Sequence, residues 1–141
     1  MDIIRLNGTE KRLYEIVAPL VMNPAIIRLN NNYPFKTSSR YKWYIALEQD
    51  EPIGFMPVKD GDGRRSIDNY YIQGDRNDVI DSLLARVTGE TARGDVLTAV
   101  VHKRHVGAFV RNGFGSFIEW TKYDKMEYNT GRTHGEAAGC L

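Results

Sequence analysis

The chain has 141 residues, nineteen Lys and Arg against eighteen Asp and Glu, and a net charge of +1. That length fits one domain, which on folding would bury about 68% of the surface its unfolded chain exposes. With 42% hydrophobic and 26% charged residues, the composition argues against disorder of the whole chain. The balanced charge argues against nucleic acid as a partner. No apolar run is long enough to cross a membrane. The opening MDIIRLNGTEKR has no apolar signal core, and the lone cysteine, Cys140, has no internal partner. Both point to a reducing cytoplasm.

Residues 2–6 (DIIRL) read as a strand. Thr9 fits an N-cap, because its hydroxyl can accept from an unpaired backbone N–H. Leu13, Ile16, Val17, Leu20 and Val21 then repeat at helical spacing, with Pro19 expected to kink or end the helix. Asn23-Pro24 opens a second short helix carrying Ile26, Ile27 and Leu29. The polar stretch from Asn30 to Arg40 is a loop. Residues 41–48 (YKWYIALE), 53–58 (IGFMPV) and 65–72 (RSIDNYYI) suit a three-strand meander, turned at QDEP and at Asp60-Gly61-Asp62-Gly63. Pro57 should weaken the end of the middle strand.

A helix follows, with Val79, Ile80, Leu83, Leu84 and Val87 inward and Gly89 as its stop. The apolar run 95–101 (DVLTAVV) predicts a strand buried on both faces. A short helix over 103–111 presents Val106, Phe109 and Val110 inward, and Gly113 caps it. FGSFIEW and TKYDKMEY form a closing antiparallel pair. The small, polar tail from Asn129 is expected to be disordered. Strands on either side of the helix after residue 72 invite a right-handed crossover and a parallel pair.

Three stretches carry a resemblance: EPIGFMPV, IDNYYIQGDRNDVIDSLL and LTAVVHKRHVGAFVRNGFGSF, above all Arg111-Asn112-Gly113-Phe114. With the element order, they resemble the GCN5-related N-acetyltransferase (GNAT) superfamily over residues 2–128. The resemblance implies an α/β (α+β) fold, a mixed and mostly antiparallel twisted sheet of six or seven strands with helices on both faces. It implies transfer of an acetyl group from acetyl-coenzyme A to the amine of a small molecule or peptide. In that family the coenzyme's pantetheine arm lies where two strands splay apart, and its pyrophosphate sits on the N–H groups opening the next helix. Carried over, the cofactor-binding positions are Ile72, Arg76, Asn77, Asp78, Val79 and Val100.

The sequence departs from the family in two places. The pyrophosphate loop of the family, Arg/Gln-x-x-Gly-x-Gly/Ala, is replaced here by Gly74-Asp75-Arg76-Asn77-Asp78-Val79-Ile80. Only Arg76 keeps its type, and an Asp78 carboxylate repels pyrophosphate unless it turns away. Acidic residues also favour the first turn of any helix, which accounts for Asp78 without function. The tyrosine that protonates the leaving thiolate in many members falls at Phe109, which has no proton to give.

His102, near neutral pKa, is a candidate base or acid. Tyr123, Tyr70 or Tyr71 could replace the missing acid, and Asp68 could bind or deprotonate an amine. A capping histidine and a solvent-facing carboxylate are the blander readings. His102 and His105 share a helix face, but no third metal ligand stands beside them. Arg64-Arg65 and Lys103-Arg104 are read as solvated charge rather than phosphate contacts.

Three functions therefore compete. One is an acyltransferase. Another is a non-catalytic relative, similar to certain phage internal virion proteins, which would place the chain in a virion. The third is a phage-type DNA-base-modifying relative. A homodimer through the final strand pair is expected from its exposed edge.

Overall fold

A computed structural model describes residues 1–129. One sheet organises them. Its strands are β1 (Asp2–Asn7), β2 (Tyr41–Glu48), β3 (Glu51–Gly61), β4 (Arg64–Ile67), β5 (Tyr71–Ile72), β6 (Val96–His102), β7 (Phe114–Glu119) and β8 (Tyr123–Tyr128). They run β1-β2-β3-β4-β6-β8-β7, with β5 paired to β3. Every pairing is antiparallel except β4 with β6, which is parallel from Arg64↔Val96 to Ile67↔Ala99. The fold is thus the expected mixed, mostly antiparallel sheet with one parallel pair, built among the described residues from eight strands rather than six or seven.

Helices α1 (Lys11–Val21) and α2 (Pro24–Leu29) follow β1. Helix α3 (Asn77–Gly89) makes the crossover, and α4 (Val106–Arg111) precedes β7. Leu13 and Val17 of α1 pack with Leu6, Trp43, Ile45 and Phe55 on one face. Val79, Ile80, Leu83, Leu84 and Val87 of α3, with Phe109 of α4, pack on Met56, Val58, Ile67, Leu97 and Val101 on the other. The alternation of a pleated strand sends odd and even residues to opposite faces, so one sheet serves two cores.

Several expectations need correction. Glu10, not Thr9, is the N-cap of α1, and it makes no side-chain cap bond; its carboxylate instead accepts from Asn7 N–H at 2.8 Å. α1 runs past Pro19 to Val21. β3 continues through Pro57 to Gly61. On α4, Val110 is exposed and Ala108 is buried in its place. Strand β6 alternates buried and half-buried residues, since no helix covers Thr98 and Val100 on the α1–α2 face. Arg65 is not solvated. It is 7% exposed and donates to Asp60 (2.8 Å), Thr91 (3.0 Å) and the Tyr44 hydroxyl (2.9 Å). The tail from residue 130 lies outside the described residues.

The break in the expected strand 65–72 positions the site. Asn69 takes φ +52, a left-handed conformation that ends extended pairing and that asparagine tolerates. β4 therefore stops at Ile67, and β5 resumes against β3 alone, Gly54↔Ile72 and Phe55↔Tyr71. The parallel partners separate beyond Ile67 and Ala99. Gly54 permits this arrangement, because a Cβ there would lie 2.9 Å from Val79 Cγ1 and 3.0 Å from Tyr71 O. Among the described residues no helix is long and apolar enough to cross a membrane. β7 forms one edge of the sheet, and Phe117, Ile118 and Trp120 are exposed there.

Candidate functional site

Beyond the parallel pair, the gap between β5 and β6 is spanned by side chains. The main-chain N–H of His102, at the end of β6, donates to the Tyr70 hydroxyl at 3.1 Å. That hydroxyl lies 2.7 Å from His105 Nδ1, and His105 Nε2 lies 2.7 Å from Asp75 Oδ1. One set of protons satisfies all three contacts for a neutral imidazole. Tyr70 accepts from His102 and donates to Nδ1, and Nε2–H donates to Asp75. Arg104 Nε closes the chain on Asp75 Oδ1 at 2.9 Å.

Tyr70 and His105 are each 2% exposed. Burial pushes the Tyr70 hydroxyl far above its ordinary range. Burial also lowers His105 against the opposing pull of Asp75, which fits the neutral ring. The void among Tyr70, Tyr71, Ile72, His102, Arg104 and His105 is only about 10 Å³, at or below the room one water needs.

The start of α3 is closed in the same way. Arg76 donates to both oxygens of Glu48, at 3.0 and 3.1 Å, and to Asp78 at 2.8 Å. The Asp78 carboxyl is held below its usual range, first by Arg76 and then by the main-chain N–H groups of Val79 and of Asp78 itself. The first turn of a helix attracts an anion, and here the chain supplies its own. Asn77 is exposed, while the side chains of Val79 and Ile72 belong to the core. Among the six expected coenzyme positions, Val100 faces a cavity.

That cavity, about 220 Å³, opens on the α1–α2 face beside the gap and is lined by Asn30, Tyr33, Asp68, Asn69, Val100, His102 and Tyr123. It brings together the three residues singled out for chemistry: Asp68 from the strand break, His102 from the end of β6 and Tyr123 from the start of β8. The His102 and Tyr123 rings lie 4.9 Å apart and tilted by 42°. The Tyr123 hydroxyl accepts from Asn31 at 2.6 Å. Asn30 donates to Asn69 Oδ1 and to Tyr33 O, both at 3.0 Å.

Burial, with lesser help from Arg104 and His105, depresses His102 to about 4, so at neutral pH it is uncharged and a weak base. Burial raises Asp68, whose Oδ1 is buried with no hydrogen-bond partner.

His102 and His105 meet edge-on at 5.8 Å, but both nitrogens of His105 are already committed to Tyr70 and Asp75. No group of three metal-ligating side chains occurs among the described residues. Phe109, where the family acid was sought, is fully buried with Tyr70 packed on it at 5.7 Å. Sequence reasoning missed Asn30 and Asn69 as pocket walls. The run of three asparagines at 30–32 was the available signal, because asparagine accepts the positive φ that bends a loop back; Asn31 and Asn32 take φ +56 and +64.

The architecture matches solved structures across nearly the whole chain. An acyl-CoA N-acyltransferase from Pseudomonas aeruginosa superposes with TM-score 0.66 at 10% identity, over 91% of this chain and 99% of that one. Escherichia coli ElaA gives 0.67 at 11%, over 92% and 100%. This is the GNAT fold. A third member, the PaiA N-acetyltransferase from Thermoplasma acidophilum in complex with coenzyme A, gives 0.55 at 14%, over 91% and 99%. No protein-family model matches the chain, and no curated protein matches its sequence. At these identities the likeness concerns the GNAT fold alone, and the chemistry must be argued from side chains.

Proposed function

We propose that this chain is a GNAT-fold binding protein that recognises a small ligand in the Asp68–His102–Tyr123 pocket and does not carry acetyl-coenzyme A. The observation that supports this most is the hydrogen-bonded chain His102 N–H, Tyr70, His105, Asp75, Arg104 across the gap between β5 and β6. A pantetheine arm lying there would have to break it and leave buried groups without partners, at about 1–3 kcal/mol each. The Asp78 carboxylate at the start of α3 adds to the case, because it stands where a pyrophosphate would need the N–H groups. The test is a melting curve. Acetyl-coenzyme A at millimolar concentration should leave the transition unmoved, since only a ligand of the native state shifts it. Asp78→Gly should also leave it unmoved, because the hydrogen-bonded chain across the gap remains. Stabilisation of the unaltered protein by the coenzyme sinks the proposal.

A second reading, acetyl transfer from acetyl-coenzyme A to an amine, is favoured by one observation: Asp68, His102 and Tyr123 line a single pocket beside the strand gap. In it Asp68 takes the amine proton and Tyr123 stands as the acid. Release of free thiol from acetyl-coenzyme A in the presence of an amine, abolished by Asp68→Asn, supports this reading against the first.

A further inference from the structure

The ligand class of the pocket follows from what its walls leave unsatisfied. Its polar amides are engaged with each other: Asn30 donates to Asn69 and to the Tyr33 carbonyl. The Tyr123 hydroxyl holds Asn31. Among the described residues, the one buried side-chain nitrogen or oxygen without a partner is Asp68 Oδ1. Lys59 acts on this carboxyl only through its field and makes no ion pair with it. Arg104 is held by Asp75. The remaining walls are the rings of Tyr33, His102 and Tyr123 and the Val100 side chain, and His102 is uncharged at neutral pH. The site therefore offers one carboxylate acceptor among aromatic faces, with no competing cation seated in it.

We infer that this pocket binds a guanidinium group, with an N–H edge on Asp68 and a flat face against the Tyr123–His102 pair. An alkylammonium suits it poorly. A compact ammonium is strongly hydrated and directs three donors, whereas these walls are mainly flat rings around one carboxylate. A guanidinium is planar, more weakly hydrated, matches a carboxylate along one edge and stacks on aromatic rings. A guanidinium bound here is recognised rather than acylated. The inference deepens the binding reading and rests on it for the absence of chemistry.

Titration calorimetry at pH 7.5 with N-acetylarginine methylamide, methylguanidinium and N-acetyllysine methylamide tests the inference. The arginine derivative should bind at least about tenfold more tightly than the lysine derivative, and Asp68→Asn should weaken it by about tenfold. Tyr33→Ala, at an exposed wall residue, gives a second variant that does not threaten the core and should also weaken binding. Tighter binding of the arginine derivative than of methylguanidinium assigns the ligand as a protein side chain, and equal binding assigns a free guanidine; both support the inference. Equal affinity for arginine and lysine derivatives, no heat from either guanidine, or unchanged affinity in Asp68→Asn overturns it. Acetylation of the lysine control by acetyl-coenzyme A would instead overturn the binding reading, and the two failures are read from separate signals.

Discussion

His102 couples the site to pH through burial. An exposed histidine titrates near about 6.5, and in the folded chain this one lies at about 4. The unfolded chain takes the proton first. The stability that the neutral ring contributes is therefore complete above about pH 6.5 and is lost as pH falls toward 4. The loss should be on the order of 3 kcal/mol across that window, and His105, lowered for the same reason, adds to it. Urea midpoints measured from pH 7.5 to 4.5 should fall steadily, and His102→Gln should flatten the slope.

Tyr70 gives a prediction at the same scale. Removing its hydroxyl leaves His102 N–H and His105 Nδ1 buried without partners, so Tyr70→Phe should cost about 1–3 kcal/mol. An unchanged midpoint would mean that the hydroxyl does not bridge the gap in solution. The types of His102, Asp68 and Tyr123 were legible in the sequence as candidates. Tyr70 was legible only as a spare acid, because nothing in the order of residues reveals that its ring crosses from one strand to the next.

At the scale of elements, helices and strands followed from periodicity, and the departures have local causes. The strand over 65–72 divides at Asn69, whose positive φ interrupts pairing inside a run that looks continuous by hydrophobicity. α4 turns Ala108 and Phe109 inward and leaves Val110 exposed. The junction of α4 and β7 depends on Gly113, at φ +94, where a Cβ would meet the Tyr128 ring at 2.9 Å. Gly113→Ala should destabilise by about 1 kcal/mol or more, read by thermal or urea unfolding. Here the glycine expected as a cap serves conformation and packing together.

On the scale of the whole molecule, one sheet supports two cores that must fold together. Leu13 on the α1 side and Leu83 on the α3 side are both fully buried. Truncating either to alanine should cost about 2–5 kcal/mol and lower one common transition, because β2 and β3 contribute to both faces. Fluorescence of buried Trp43 against far-ultraviolet circular dichroism checks this. Two separate transitions would show that the faces are independent. The buried Arg65, tied to Asp60, Tyr44 and Thr91 across strands and helix end, belongs to the same scale. Charge counting reads it as surface, and only its enclosure by distant partners makes it internal.

The amino-acid order alone determined the alternation of elements and the parallel pair bridged by α3, because side-chain periodicity and turn chemistry act between near neighbours. Whether the space between the separated strands stands open or filled was decided only in three dimensions. Tyr70, Asp75, His102 and His105 meet through contacts up to thirty-five positions apart, and only the tertiary fold buries Tyr70, His102 and His105 together while Asp75 holds the exposed end.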